Sequence, residues 1–308
     1  MRTVYISEPQ AINLEVTREV LPAEEYELVA GSPSFDGDPA VLQACEVLMI
    51  RSGTHVTDAI RAVFPNLQHI VRVGVGVDNI DLAFCKQQGI SVYNAPGANA
   101  DAVSDYVVTM MFYALRNLHQ LTQDDARTWN RFKFTGRSMA GRSIGIIGFG
   151  NIGKQIFTKL QGFECRAFYV YDPFIKAEDM PDGVTYAETV DTVLRQSDVV
   201  TLHVPLLPTT QYMINRSNLS LLPEGAILIN ASRGGIVNEA DVVAQAAKRT
   251  LTYIADTVEN EPHPSTALLE ASHVIVTPHI ASLTEESDEN MVRVALRNFL
   301  DGRSLVLS

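Results

Sequence analysis

The sequence predicts an α/β fold in which two Rossmann-like domains each contain a parallel sheet and the first domain is discontinuous. Short apolar, β-branched segments alternate with longer segments of helical periodicity, as in parallel sheets covered by helices. The chain has 308 residues, more than the roughly 250 that a single core normally supports. A glycine-rich motif at residues 148–153 opens the second half of this pattern, which indicates a second sheet.

The first set of strands begins almost at the N-terminus. We predict strands at residues 3–7, 26–29, 47–51, 69–73 and 91–94. A final helix runs through Asn298 and ends near Gly302, and a capping box from Ser282 to Glu285 would start it. Because this helix follows the last strand of the second set, we expect residues 1–99 and 285–308 to form the first domain.

The second domain is predicted to span residues 100–284. It opens with a helix over residues 101–121, which Asn99 or Asp101 could cap, followed by a polar connection that contains Trp129, the only tryptophan. Its predicted strands are residues 143–147, 167–171, 199–203, 226–230, 253–256 and 273–277.

The motif at the start of the second set has the features of a dinucleotide site. Gly148, Gly150 and Gly153 form G-x-G-x-x-G between a predicted strand and a predicted helix. They permit a tight turn, a close approach of a pyrophosphate and close packing of helix on strand. Asp172 ends the next strand, where a carboxylate accepts the ribose hydroxyls and repels a 2′-phosphate. The motif therefore predicts NAD rather than NADP, the alternative being a glycine-rich turn beside a solvated aspartate.

Charged side chains follow three later strands of this set. Arg233, Glu261 and His279 should meet at one edge, because ligands of open α/β sheets bind at the carboxyl ends of the strands. A histidine exchanges a proton with an alcohol, a carboxylate favours its charged form, and an arginine grips a substrate carboxylate. Beside NAD, this set predicts oxidation of a 2-hydroxy acid. Each residue alone could instead be structural.

Composition limits the partners. The formal charge of -12 argues against nucleic acid and against an anionic membrane surface. The three cysteines are widely spaced and lack a metal-ligand pattern. This predicts buried thiols, a location in the reducing cytoplasm and no metal site. No signal peptide and no apolar segment of ~18 residues is seen, so we expect no membrane association.

Seven segments together resemble the D-isomer-specific 2-hydroxyacid dehydrogenases over nearly the whole chain. They are V-G-V-G-V-D-N-I-D at 73–81, N-A-P-G-A-N-A at 94–100, G-F-G-N-I-G at 148–153, H-V-P-L-L-P-T-T at 203–210, N-A-S-R-G-G-I-V at 230–237, E-N-E-P at 259–262 and T-P-H-I at 277–280. The resemblance implies that the first domain binds substrate and that Arg233, Glu261 and His279 are catalytic.

The resemblance also assigns binding residues. It implies that NAD is bound by Gly148, Gly150, Asn151, Ile152, Gly153, Asp172, His203, Val204, Pro205, Thr210, Ala231 and Asp256, the last through the nicotinamide carboxamide. It implies that substrate is bound by Arg51, Ser52, Arg72, Val75, Gly76 and Asn99. The backbones of Val75 and Gly76 would receive the substrate carboxylate, and Arg51 and Arg72 a substrate phosphate.

Within this family the chain is most similar to the D-3-phosphoglycerate dehydrogenases, which implies 3-phospho-D-glycerate as substrate. The resemblance to I-R-S-G-T-H-V-T at 50–57 carries this expectation, although a surface ion pair is an equal alternative for Arg51. Gly53 stands where some such enzymes have a second arginine. Regulatory domains are not expected after Ser308. The enzymatic alternative is a reductase of glyoxylate, hydroxypyruvate or another small 2-keto acid.

Two further expectations follow from the resemblance. Some relatives are NAD-sensing transcriptional corepressors, so a binding function is an alternative to catalysis. We favour catalysis, because the sequence has no evident disordered tail for partner motifs. The helix that begins near Asp101 and the segment containing Trp129 resemble the dimer contact of the family, which implies a symmetric homodimer.

Overall fold

The computed structural model describes residues 1–248 and 251–306, and the contacts within it divide the chain into two units. The first unit is Met1–Asn99 with Leu283–Ser308, and the second is Ala100–Ser282. Each unit contains one sheet of parallel strands with helices, so the predicted fold class is confirmed.

The strands are β1 (Arg2–Ile6), β2 (Tyr26–Ala30), β3 (Cys45–Ile50), β4 (His69–Arg72), β5 (Ser91–Tyr93), β6 (Ser143–Ile147), β7 (Ala167–Tyr171), β8 (Val184–Tyr186), β9 (Val199–Leu202), β10 (Ile227–Asn230), β11 (Thr252–Ala255) and β12 (Val274–Val276). The α-helices are α1 (Leu14–Val20), α2 (Pro39–Ala44), α3 (Ile60–Val63), α4 (Leu82–Gln87), α5 (Ala100–Leu115), α6 (Gln123–Thr128), α7 (Asn151–Leu160), α8 (Val190–Gln196), α9 (Arg216–Leu219), α10 (Glu239–Ala246), α11 (Thr266–Leu269) and α12 (Glu285–Leu300).

The sheet of the first unit has the order β2-β1-β3-β4-β5, and every neighbouring pair is parallel. The strand order reverses between β1 and β3, which makes their carboxyl ends the topological switch point of this sheet. Helix α12 buries Met291, Val292, Leu296 and Phe299 in a core cluster of this unit. The C-terminal helix is therefore part of the first unit.

The start of α12 differs from the prediction. Its N-cap is Thr284, whose hydroxyl accepts a hydrogen bond from the backbone N–H of Ser287 at 3.1 Å, so the predicted capping box from Ser282 to Glu285 is wrong. Both Ser282 and Thr284 are capping residue types, and local sequence alone does not choose between them. The helix ends before Gly302, whose φ of 69° is the left-handed conformation expected there.

The sheet of the second unit has seven parallel strands in the order β12-β11-β10-β9-β6-β7-β8. Its switch point lies between β6 and β9. Strand β8 was not predicted, because it has three residues at the sheet edge and none is fully buried. The helix predicted over residues 101–121 ends at Leu115, since Asn117 takes a left-handed φ of 54°.

Cys45 and Cys85 are buried free thiols, whereas Cys165 is partly exposed and departs from the prediction in that respect. Burial raises the pKa of both Cys45 and Cys85 to about 11. Within the described residues, the helices are too short or too polar to cross a membrane.

Candidate active site

The glycine-rich loop joins β6 to α7 and has room for a pyrophosphate. A Cβ at Gly148, which has a φ of 93°, would lie 2.4 Å from the carbonyl oxygen of His203, and one at Gly153 would lie 2.4 Å from the carbonyl oxygen of Gly148. By contrast, nothing lies within 4 Å of a Cβ built at Gly150, the N-cap of α7. Two glycines therefore permit close packing, and the third leaves the helix N-terminus open to an anion.

Asp172 is fixed beside this loop. It follows β7, and its Oδ2 accepts a hydrogen bond from the N–H of Phe149 at 2.8 Å, while its Oδ1 accepts one from Phe174 at 2.9 Å. Carboxylate oxygens have further acceptor capacity, so ribose hydroxyls can still bind them. Its position fits an NAD ribose, and Asn151 and Ile152 continue the same N-terminus of α7.

The segment after β9 packs against the glycine-rich loop. The N–H of His203 donates to the carbonyl of Ile147 at 2.7 Å, and its Nε2 lies 2.8 Å from Thr201 Oγ1. Burial lowers the pKa of His203 to about 3, so the imidazole is neutral. Its Nδ1 is buried and has no hydrogen-bond partner among the described residues, so it could bind a polar ligand atom.

The loop that continues from His203 is closed by Thr210. The hydroxyl of Thr210 donates to the carbonyl oxygen of Pro205 at 2.6 Å and accepts the N–H of Leu207 at 2.8 Å. Val204 is buried beside it. The structure thus places the predicted cofactor residues 203–205 and 210 in one folded loop.

Arg233 follows β10 and is positioned by a buried amide. The side chain of Asn230 donates to the carbonyl oxygen of Arg233 at 2.7 Å and accepts the N–H of Ser232 at 3.2 Å, which holds Ala231 within the same turn. A Cβ at Gly234 would lie 2.2 Å from the carbonyl oxygen of Val258, so only glycine permits this approach. The turn with Arg233 therefore packs against the segment that leads to Glu261.

Glu261 and His279 form a hydrogen-bonded pair. Glu261 Oε2 lies 2.9 Å from His279 Nδ1, and Glu261 Oε1 accepts the N–H of Val258 at 3.0 Å. Burial alone would raise the pKa of Glu261, but the hydrogen bond and charge of His279, the N–H of Val258 and the charge of Arg233 outweigh it and lower that pKa. A carboxylate only accepts, so His279 Nδ1 carries a proton and Nε2 remains to react.

Asp256 holds the loop that contains His279. Its Oδ1 accepts the N–H of Ile280 and the hydroxyl of Thr277, and its Oδ2 accepts the N–H of Ala281. The residue is 1% exposed. The contact of Asp256 with a nicotinamide carboxamide stays a prediction. The structure adds a second role for Asp256, which is to hold the loop of His279.

Sequence reasoning missed a buried acid beside this site. Glu239 begins α10, and its Oε1 accepts the N–H of Glu259 at 2.7 Å. Burial, together with the nearby charges of Glu259 and Glu261, outweighs the hydrogen bond from the Glu259 N–H and raises the pKa of Glu239 to about 7. The signal in the sequence was an acid directly after a capping residue, Asn238, but that pattern usually places the acid in solvent.

The predicted substrate residues lie in the first unit. Arg51 Nη1 lies 2.6 Å from Asp288 Oδ1 and donates to the carbonyl oxygen of Ala11 at 3.0 Å, so the alternative of an ion pair is realised. Arg72 Nη1 donates to the carbonyl oxygen of Val73 at 2.9 Å. Ser52 is exposed. The substrate roles of Arg51, Ser52 and Arg72 stay predictions.

The segment of the first unit that is predicted to receive the substrate carboxylate is held by Asn94. The side chain of Asn94 donates to the carbonyl oxygen of Val75 at 2.7 Å. Val75, Gly76 and Asn99 are partly exposed. Their contact with a substrate carboxylate is untested and stays a prediction. Among the described residues, no group of His, Cys, Asp and Glu is arranged to hold a metal ion.

Residues 108–281 match the family model for the NAD binding domain of D-isomer specific 2-hydroxyacid dehydrogenases. The hydroxypyruvate reductase of Thermotoga maritima is 32% identical over 293 residues, which cover 94% of this chain and 94% of that protein. The D-3-phosphoglycerate dehydrogenase of Methanocaldococcus jannaschii is 36% identical over 253 residues, which cover 80% of this chain and 48% of that enzyme, so the matched region spans about half of its length. The crystal structure of D-lactate dehydrogenase from Aquifex aeolicus, complexed with NAD and lactic acid, has a TM-score of 0.85 and 24% identity, covering 100% of both chains, a likeness of fold.

Proposed function

The chain belongs to the D-isomer specific 2-hydroxyacid dehydrogenases, and we propose that His279 is the acid–base group with which it oxidises or reduces a small anionic substrate. The chain is therefore an oxidoreductase with an NAD-binding domain. The observation that carries the proposal is the contact of 2.9 Å between Glu261 and His279 at the carboxyl ends of neighbouring strands. When bound, NAD supplies the acceptor for the hydride that leaves C2 of the alcohol.

The pair supplies the proton transfer that this reaction needs. In oxidation, Nε2 of neutral His279 takes the hydroxyl proton, and the carboxylate of Glu261 stabilises the imidazolium that results. In reduction, the imidazolium returns the proton to the carbonyl oxygen. Oxidation should therefore be lost at low pH and reduction at high pH. Replacement of Glu261 by Gln should lower the rate of hydride transfer in both directions, because an amide stabilises the imidazolium less.

Arg233 is proposed to bind the substrate carboxylate. A guanidinium offers two parallel N–H donors to a carboxylate, and its charge polarises a neighbouring carbonyl. The position of Arg233 supports this role, because its turn packs on the segment that leads to Glu261, and its charge contributes to the lowered pKa of that residue.

Asp172 is proposed to select NAD over NADP. Its carboxylate is held by two backbone N–H groups, so it cannot readily turn away from a 2′-phosphate. We expect kcat/KM to be at least about 10-fold higher with NAD, since the loss of one charge-assisted contact is worth roughly 1.5–3 kcal/mol. Equal kcat/KM values for the two cofactors would reject this role.

The finer proposal for the substrate is 3-phospho-D-glycerate, which the motif at 50–57 supports. A second candidate, reduction of hydroxypyruvate or glyoxylate, is favoured by one observation: Arg51 is already paired with Asp288. A panel of D-2-hydroxy acids with NAD, and of 2-keto acids with NADH, separates the candidates by kcat/KM. Failure to turn over any member would contradict the enzymatic proposal itself.

We also propose that two copies form a dimer through α5 and the segment after it. Trp129 and Phe132 are 79% and 78% exposed, which is unusual for large apolar side chains. A groove of about 610 Å³, lined in part by Phe112, Phe134 and Phe163, lies in the same unit. Sedimentation equilibrium should show a dimer, and changing Trp129 and Phe132 together to serine should weaken it.

A further inference from the structure

The hydroxyl of Thr277 lies between two oxygen atoms in the second unit. Thr277 directly follows β12 and precedes His279 by two residues. Its Oγ1 is 2.6 Å from the Oδ1 of Asp256 and 2.6 Å from the phenolic oxygen of Tyr106 on α5. Three oxygens at these distances form a hydrogen-bonded series from a long helix to the segment that contains His279.

The direction of this series follows from its acceptor end. A carboxylate offers only acceptors, so the hydroxyl proton of Thr277 points to Asp256. Tyr106 must then donate its own proton to Thr277. Burial raises the pKa of Tyr106 to about 12, so this proton is retained over the working range of pH. The two hydrogen bonds therefore point in one direction, from Tyr106 through Thr277 to Asp256.

Asp256 passes this constraint to the catalytic loop. Its carboxylate accepts the N–H groups of Ile280 and Ala281, each at 2.8 Å, and its carbonyl oxygen accepts the N–H of His279 at 2.9 Å. Three consecutive N–H groups of the loop thus bind one residue. His279 has a φ of 55°, a conformation that non-glycine residues adopt only at a cost. The loop needs these contacts to hold its histidine in that conformation.

We propose that Thr277 and Tyr106 are positioning residues that orient Asp256 and, through it, keep His279 within hydrogen-bonding distance of Glu261. This inference rests on the proposed role of His279. Neither side chain need touch substrate or cofactor. The helix α5 is 16 residues long and buries much of one face, so it is a rigid support for the chain of hydrogen bonds.

The test uses variants that change the hydroxyl but little of the shape. In Thr277→Val, the rate constant of hydride transfer, measured as pre-steady-state formation of NADH, should fall by about 10-fold. This is the loss expected for one hydrogen bond in a preorganised site. Thr277→Ser keeps the hydroxyl and should recover activity to within about 3-fold of the wild type. Tyr106→Phe should lose less than Thr277→Val, since Asp256 keeps its direct partner.

A further measurement separates positioning from general destabilisation. The dissociation constant of NADH, measured by fluorescence, should change by less than about 2-fold, since Asp256 keeps the N–H groups of Ile280 and Ala281 as partners. Thr158→Val is a matched control, because its hydroxyl bonds only within α7 at the surface.

The outcomes distinguish this inference from the proposed function. A normal rate in Thr277→Val, or a Thr277→Ser enzyme as slow as the valine variant, would overturn the positioning role. If His279→Ala retained the wild-type rate, the proposed function would fall first. An inactive His279→Ala enzyme beside a fully active Thr277→Val enzyme would reject only the positioning role of Thr277.

Discussion

The switch points of the two sheets have opposite arrangements. Between β6 and β9, the N-cap of α7 is a glycine with empty space around its Cβ position. Between β1 and β3, the buried carboxylate of Glu8 accepts the N–H groups of Arg51, Gly53 and Thr54 and the hydroxyl of Thr54. The same topology therefore offers its backbone N–H groups to a ligand in one unit and to an internal carboxylate in the other.

Charged pairs differ between the units in the same way. The side chains of Arg51 and Asp288 are 12% and 33% exposed, whereas those of His279 and Glu261 are 44% and 37% exposed. The first pair ties α12 to the end of β3, and the second faces solvent and can meet a substrate. The difference between the two pairs is therefore one of exposure, and only the more exposed pair leaves a side chain that a substrate could reach.

The largest effect should come from the exposed pair. We predict that His279→Ala lowers kcat by about 10²- to 10⁴-fold, the range for loss of a general acid–base group, and leaves the melting temperature nearly unchanged. Rapid-quench or stopped-flow measurement of NADH formation checks this, since product release can mask the chemical step. His263→Ala, in an exposed position of the preceding loop, should behave as wild type. A wild-type rate in His279→Ala would show that another group moves the proton.

The next effect should come from the occupied switch point. We predict that Glu8→Ala lowers the free energy of unfolding by about 3 kcal/mol, because it leaves four donors without their shared acceptor. Glu8→Gln should lose less, since its carbonyl oxygen still accepts. Chemical denaturation measures both variants, with the exposed Glu15→Ala as control. A loss under about 0.5 kcal/mol would mean that the loop does not depend on Glu8.

Local pattern was enough to predict much of the fold and part of the site. The strands at residues 143–147 and 167–171 match β6 and β7 residue for residue, because buried parallel strands are continuous apolar segments. The glycine motif and Asp172 were found because their spacing is fixed by local geometry. In the same way, Glu261 and His279 were brought together by the rule that neighbouring strand ends meet.

Contacts between residues far apart in sequence could not be predicted. Glu8 binds a loop more than forty residues away, and Asp288 pairs with Arg51 across 237 positions. Neither acid differs from a surface residue in its own neighbourhood of the sequence. Tyr106 and Thr277 were hidden for the same reason, since each fits the apolar periodicity of its own element.

An intermediate effect should come from the pair of Arg51 and Asp288. A double-mutant cycle with alanine should give a coupling of about 1–3 kcal/mol in unfolding free energy, between the values for exposed and buried pairs. If this pairing is the main task of Arg51, both single variants should change KM for 3-phospho-D-glycerate to the same extent. A rise of about 10-fold in Arg51→Ala alone would instead support direct contact with the substrate phosphate.

The smallest effect concerns Glu239, the buried carboxylate of the second unit. Unlike Glu8, it accepts one backbone N–H, from Glu259, and it faces other acidic groups, Glu259 and Glu261. Its pKa is raised from 4.5 to about 7, mainly by burial, so its contribution to stability is present below pH 4.5 and is lost as pH rises through 7. Replacement by Gln removes the charge and keeps an acceptor for the N–H. We therefore predict that Glu239→Gln melts about 2–4 °C higher than wild type at pH 8 and about the same at pH 5, as roughly 1 kcal/mol would give. Calorimetry at both pH values checks this, with the exposed Glu188→Gln as control. A pH-independent difference would mean that Glu239 does not change its charge in this range.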